Sequence, residues 1–471
     1  MKKLLIGIFW GGVILAGIGV VKTIRAVTVV TGRILHNQRG GDINASIRWL
    51  MLGGRIAGEE LSTLLPLVPR LIADGTHKEY LVLLQNNMEL RPTGGFLGSY
   101  ARVSFTDGFL AGIKVQDIYV PDGQLAGYVE PPAPIGKYLN SNGWQLRDSN
   151  WDPDFNLSAP VMEWFFEQGK EPEADGIIAI NLWVAQELLR AVGPIYLPDY
   201  QETVSADNLF AKAETHSEVN FFPGSTQKQD FLAQVASQLL EAIKAADWKT
   251  QVKVAQAVNR SLKGKQILVW MKDEAVKQGL RQLNWDGKLT TNAGADYLMI
   301  VEANVGVNKA NCCVTRSINQ QVQLTATGLE EKLILTYKNN SPDLPEQRPF
   351  WAGTYHAYVR VYVPQAARIE AVKVNNQPVQ LTEVDQEARG DFLIAGFLIQ
   401  VDAGKTEQVA INYSQPKQLT NQMYRLKVQK QSGTGSDPYN LTLDSPTCPT
   451  QQLNRNLDED FVWEMPTDCS K

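Results

Sequence analysis

Four cysteines and four histidines are spread thinly over 471 residues. His36, His77, His216 and His356 are far apart, and no cysteine pair has zinc-ligand spacing, which argues against a structural zinc site. Cys312 and Cys313 are adjacent and read as small buried side chains rather than as a bridge. Cys448 and Cys469 flank a short C-terminal segment and suit a disulfide made in an oxidising compartment. No long run of one charge sign occurs, and the formal net charge is -5, so no nucleic-acid partner is expected. The chain also lacks a Gly-x-Ser-x-Gly elbow, a Walker loop and a Rossmann fingerprint, which sets aside the chemistries those loops serve. A Cys–His nucleophile pair has no local support either.

What is present is globular composition, 44% hydrophobic and 20% charged, with length for two or three domains. The N-terminus departs from it. Leu4 to Val21 contains no charged residue and no proline, with Lys2 and Lys3 before it and Lys22 and Arg25 after it. About 18 apolar residues suffice to cross a bilayer as a helix. No small-x-small cleavage site follows, so an uncleaved anchor is favoured over a signal peptide. Lys2 and Lys3 favour a cytoplasmic N-terminus, whereas Lys22, Arg25 and Arg33 oppose it. No second spanning segment follows, and the rest of the chain is placed outside the cytoplasm.

Five regions are expected: a membrane anchor over 1–35, a helical stalk over 36–75, an α/β layered domain over 76–305, a β-sandwich over 315–430, and a loop-rich tail over 431–471. In the α/β region, Tyr80 to Leu84 reads as a buried central strand. Asp107-Gly108 reads as the tight turn of a hairpin. Residues 119–150 read as a long surface loop. Ser158 is expected to cap a helix with Pro160 in its first turn. Asn181 caps another, which Gly193 and Pro194 stop. Strands alternating with helices predict α/β layers. After about residue 310 the pattern turns to period two, as in Val359-Arg360-Val361-Tyr362-Val363, with no helical stripe. That predicts an all-β, immunoglobulin-like sandwich.

Two stretches concentrate the residue types that sites need: Arg91-Pro92-Thr93-Gly94-Gly95-Phe96 and Arg147-Asp148-Ser149-Asn150-Trp151-Asp152-Pro153-Asp154. Arg91 follows a buried strand, and open α/β sheets bind ligands at the carboxyl ends of their strands. Thr93, Gly94 and Gly95 would offer backbone N–H groups to an anion. Arg147 would add bidentate phosphate contacts, and Trp144 and Trp151 would wall a pocket. Asp148, Asp152 and Asp154 would suit Mg²⁺, which prefers carboxylate oxygen, water and phosphate. Phosphoryl transfer needs chiefly positioning and charge neutralisation. The competing reading is structural: a tight glycine turn, an arginine paired with Glu89 or with an aspartate of the second motif, an Asp-Pro-Asp turn before a helix, and packed tryptophans. No catalytic residue is assigned.

Tyr80–Tyr100 (YLVLLQNNMELRPTGGFLGSY), Arg147–Phe155 (RDSNWDPDF), Asp175–Ile180 (DGIIAI) and Asp296–Lys309 (DYLMIVEANVGVNK) closely resemble the bacterial DUF4012 family. The resemblance spans most of 40–430 and implies topology and location without an activity. The order of elements also resembles the LytR-CpsA-Psr phosphotransferases, through Asp175–Ile180, a helix and then Ala191-Val192-Gly193-Pro194-Ile195. Their Arg-Ser-Asp-Thr and Pro-Arg-Asp signatures do not occur as such, and Arg91 and Arg147-Asp148 take comparable places in the order. That second resemblance implies a single-pass extracytoplasmic enzyme handling polyprenyl-pyrophosphate glycans. The expected function is therefore a membrane-anchored cell-envelope protein that binds or transfers a phosphate-bearing glycan or lipid-linked precursor. Its alternative is a non-enzymatic surface scaffold or adhesion protein. Partners would be the membrane and a polyprenyl-phosphate glycan or cell-wall polymer.

Overall fold

The computed structural model describes residues 63, 67–73, 75–139, 141–218, 227–292, 294–416, 423–467 and 469. The expected anchor over 1–35 and most of the stalk over 36–75 lie outside the described residues. Among the described residues, no helix is long and apolar enough to cross a membrane. The chain contributes to two compact units. Of the described residues, the first takes those up to Gln85, Leu97–Leu125 and those within Ala159–Gly287; the second takes Asn86–Phe96, those within Ala126–Ser158 and those from Lys288 onward.

The first unit contains strands β1 (His77–Asn86), β2 (Phe96–Thr106), β3 (Phe109–Asp117), β4 (Gly176–Asn181), β5 (Ile195–Leu197), β6 (Glu202–Val204) and β7 (Ile267–Met271). Five of them form one sheet in the order β3-β2-β1-β4-β7, and β5 pairs with β6. The sheet is mixed: β1 and β4 run parallel, while β2–β3 and β4–β7 are antiparallel. Leu81, Val82 and Leu83 are buried in succession, as a strand covered on both faces requires. Asp107 and Gly108 both have positive φ, 51° and 80°, the turn whose twist matches a hairpin. The Asn181 side chain accepts the Trp183 N–H and caps the helix Leu182–Val192, and Gly193 ends that helix at φ 92°. Val184 and Leu188 of that helix join Phe231 and Val235 of the helix Gln227–Ala245 and Val254 of the helix Trp248–Lys263. These stripes share one core with Val82, Val103 and Ile180 of the sheet.

The second unit is rich in strands: β8 (Asp296–Asn304), β9 (Val314–Leu324), β10 (Gly328–Asn339), β11 (Tyr355–Pro364), β12 (Arg368–Val374), β13 (Gln377–Val379) and β14 (Asp385–Arg389). They continue as β15 (Phe392–Val401), β16 (Thr406–Pro416), β17 (Met423–Gln429), β18 (Asp437–Ser445), β19 (Cys448–Leu457) and β20 (Phe461–Pro466). One sheet has the order β13-β12-β16-β10-β9-β18-β19, the other β14-β15-β11-β8-β17-β20. Alternate residues of both, such as Leu333 and Leu335 of β10 and Leu298 and Ile300 of β8, form one apolar core.

Several expectations change here. Asp296–Asn304, expected in the α/β domain, is an inner strand of the six-stranded sheet, between β11 and β17. The tail over 431–471 is not loop-rich: it supplies β18, β19 and β20, whose polar outward residues disguise the alternation. Two pairs, β8–β17 and β9–β18, are parallel, and the sheets hold more strands than the seven to nine of an immunoglobulin domain. The helix near Ser158 starts at Phe155, which leaves Pro160 inside it. Cys312 and Cys313 are joined to each other, contrary to the reading as unbridged side chains, and Cys448 is joined to Cys469.

Candidate functional site

Both motif stretches fall in the second unit, although the first is inserted between two strands of the first unit's sheet. Residues 86–96 are pinned by backbone bonds. The Asn304 N–H donates to the Leu90 carbonyl at 2.9 Å, and the Asn311 N–H to that of Met88 at 3.2 Å. The Leu90 N–H donates to Asn311 Oδ1 at 3.1 Å, and Gln431 Nε2 donates to the Arg91 carbonyl at 3.3 Å.

Arg91 is 2% exposed. Its Nη1 donates to the carbonyls of Asn304 at 2.6 Å and Leu90 at 3.4 Å, and its Nη2 donates to Glu89 Oε1 at 3.1 Å. Its Nε lies 3.6 Å from Asp148 Oδ1. The guanidinium also sits over the Phe96 ring, 5.5 Å from its centroid. Asp148 is buried too, and its second oxygen lies 3.8 Å from Nε of Arg147, whose side chain is 27% exposed.

The glycines serve close packing. A Cβ on Gly95 would overlap the backbone of Asn86 and Asn87, and a Cβ on Gly433 would overlap the backbone of Gly94. Gly94 itself has φ 135°. Asn150 Nδ2 donates to the Gly95 carbonyl at 2.7 Å, which ties the second motif to the first. Thr93 is fully buried beside them.

The structure thus brings Arg91, Asp148, Arg147 and the Gly94-Gly95 turn together. It does not bring the three aspartates together. Asp152 pairs with Arg389 at 2.5 Å. Asp154 accepts the Asn156 N–H at 2.9 Å, in the first turn of the helix that starts at Phe155, and the Leu289 N–H at 3.1 Å. Among the described residues no group of three or more acidic, histidine or cysteine side chains is placed to hold a metal. Each of the three aspartates expected to suit Mg²⁺ thus answers a different donor. Trp151 is stacked on Tyr358, with centroids 6.1 Å apart, and Arg360 lies over its ring at 5.1 Å. It packs with Ile135, Ala303 and Val305 in a small apolar cluster, against which the half-buried Trp144 also rests. Burial, then the hydrogen-bonded Asp385 carboxylate, pushes the Tyr358 phenol above its ordinary value.

Sequence reasoning missed a second set of buried polar residues, in the interior of the same unit. Arg316 on β9 binds Glu302 on β8 and Asp437 on β18, and Glu302 also accepts from Tyr337 at 3.1 Å and Tyr355 at 2.6 Å. Asp296 on β8 and Glu331 on β10 form another node, with no cation partner among the described residues. The available signal was position: Glu331 shares its period-two face with Leu333, Leu335 and Tyr337.

The fold holds a mixed α/β sheet unit and a two-sheet β unit, with a buried Arg–Asp clasp in the latter. Residues 75–216 match the family described as "Protein of unknown function (DUF4012)", the family the motifs indicated. A search of curated proteins returns no match. Among solved structures, the chain is similar to an M1 zinc metallopeptidase from Deinococcus radiodurans at 8% identity and TM-score 0.18, over 31% of this chain and 39% of that one. It is similar to a putative nutrient binding protein from Legionella pneumophila at 8% identity and TM-score 0.24, over 38% and 69%. Leukotriene A4 hydrolase from Saccharomyces cerevisiae follows at 5% identity and TM-score 0.21, over 32% and 29%. The chain spans well under two thirds of the length of the metallopeptidase, and at such scores these likenesses carry no functional argument.

Proposed function

We propose that this is a membrane-tethered, extracytoplasmic envelope protein that acts as a non-enzymatic scaffold or adhesion protein. The carrying observation is Arg91. At 2% exposure it is engaged by Glu89, Asp148 and two carbonyls, so its charge is spent inside the fold. A guanidinium that bound phosphate would have to give up those partners, leaving the buried Glu89 without it and Asp148 with Arg147 alone, a cost of several kcal/mol. The charge-free run Leu4 to Val21 supports a tether. The Cys448–Cys469 bridge supports an oxidising compartment. The two-sheet unit would be the adhesive module, in the manner of immunoglobulin-like sandwiches, and a cell-wall polymer its partner.

Native mass spectrometry of the purified full-length protein, with Mg²⁺ and added polyprenyl pyrophosphate, tests this reading. An empty spectrum is expected. A bound lipid lost in Arg91→Ala and Arg147→Ala would overturn it in favour of binding or transfer of a lipid-linked glycan precursor.

A further inference from the structure

The interior of the two-sheet unit holds two carboxyl groups that, among the described residues, have no cation on either. Asp296 Oδ1 accepts from Gln415 Nε2 at 2.7 Å and from the Tyr297 N–H at 2.7 Å, and its Oδ2 accepts from the Tyr424 hydroxyl at 2.6 Å. Glu331 Oε1 accepts from the same Gln415 Nε2 at 2.6 Å. Its Oε2 accepts from the Tyr413 hydroxyl at 2.7 Å and Gln320 Nε2 at 2.8 Å. Every donor is neutral. One amide nitrogen therefore bridges two carboxyls that belong to different sheets, since β8 lies in the six-stranded sheet and β10 in the seven-stranded one.

Among the described residues, the surrounding elements supply no counter-charge. On β18, Tyr439 donates to Gln320 Oε1 at 2.6 Å. On β9 the buried cation is Arg316, committed to Glu302 of β8 and Asp437 of β18. Next to β17, Lys430 donates to the carbonyls of Gln431 and Thr434. Two ionised carboxylates that flank one amide nitrogen, in a medium of low dielectric, repel strongly and are each costly to desolvate.

We propose that Asp296 and Glu331 share one proton and act as a latch between the two sheets, closed while the proton is held and loosened when it leaves to solvent. Gln415, Tyr424 and Tyr413 orient the pair, Tyr439 holds Gln320 beside it, and the proton cancels the charge that Arg316 cancels for Glu302. Burial is the main cause that raises both carboxyls above the ordinary range, and for Glu331 the neighbouring Asp296 charge adds to it. The sign follows. An acid whose folded pKa is raised lends stability that is complete below the unfolded value, about 4. That stability declines as pH rises through the raised folded value. The two-sheet unit should therefore tighten in acid and loosen toward alkaline pH, opposite to a carboxylate held in a salt bridge.

The test uses the full-length protein. Glu331→Gln keeps the shape and removes the need for the proton. Its melting temperature, followed by near-ultraviolet circular dichroism, should match the wild type in acid and exceed it by roughly 2–4 °C or more on the alkaline side. Asp296→Asn should do the same. Infrared spectra of the wild type at neutral pH should show a carboxylic-acid C=O band that shifts in D₂O and is lost in either variant. This second readout decides the matter even where a variant does not fold. A missing band overturns the proposal, and so does a Glu331→Gln protein less stable than wild type by the same amount at every pH. Destabilisation of the wild type by EDTA would overturn it as well, because a bound cation would then replace the proton.

Discussion

Arg91 Nε stands 3.6 Å from Asp148 Oδ1, with both side chains buried, and this pair joins two motifs separated by fifty residues of chain. The ligand reading of Arg91 and the structural reading part at this contact, because the charge is neutralised internally.

Replacing Arg91 by Ala is expected to destabilise the protein by roughly 3–5 kcal/mol, the cost of leaving the buried Glu89 carboxylate without its partner and Asp148 with Arg147 alone. Arg147→Ala, at a side chain that is 27% exposed, should cost no more than about 1 kcal/mol. Urea unfolding of both variants checks the contrast. Equal, small losses would show that Arg91 is not a structural residue.

Gly95→Ala and Gly433→Ala each place a methyl group into the backbone of a neighbouring segment, Asn86 in one case and Gly94 in the other. Losses of at least about 1–3 kcal/mol are expected. Gly75→Ala is the control: its φ is 71°, but nothing lies within 4 Å of the added carbon. Thermal melts of the three variants should rank Gly75→Ala as the mildest.

Arg316→Met removes the one cation from the node formed with Glu302 and Asp437. A loss of roughly 3–5 kcal/mol is expected. Adding Glu302→Gln to Arg316→Met should recover part of it, since the uncompensated charge is then gone. A double-mutant cycle measures the recovery, and strict additivity would contradict the pairing.

The Cys448–Cys469 bridge closes a segment with sequence separation 21 and ties β19 to the residues after β20. Cys448→Ser with Cys469→Ser should lower stability by about 2–4 kcal/mol. Alkylation followed by mass spectrometry should label Cys448 and Cys469 only after reduction. Labelling of the unreduced protein at those positions would refute the bridge.

Local patterning determined much of the architecture. The apolar run Tyr80 to Leu84, the Asp107-Gly108 turn, the Asn181 cap and the Gly193 stop each act over a few residues, so each is legible from neighbours alone. The period-two strands from Val314 onward are legible for the same reason, because alternation is a local consequence of the pleat. The two motif stretches were also identifiable by their composition. Only the tertiary structure decided what they do. A sequence does not show that the loop after β1 packs with β8 rather than with its own sheet, so the pairing of Arg91 with Glu89 and with an aspartate of the second motif stood beside the ligand reading until the fold placed Arg91 against Asp148. The assignment of Asp296–Asn304 to a β sheet of the second unit rests on pairings with β11 and β17, distant in sequence. The tail's three strands likewise take their order from partners far up the chain, as in β18 beside β9. The proton-sharing pair is the extreme case. Asp296 and Glu331 are ordinary acids in the sequence, and only burial between two sheets, with neutral donors among the described residues, gives them a property that neither has alone.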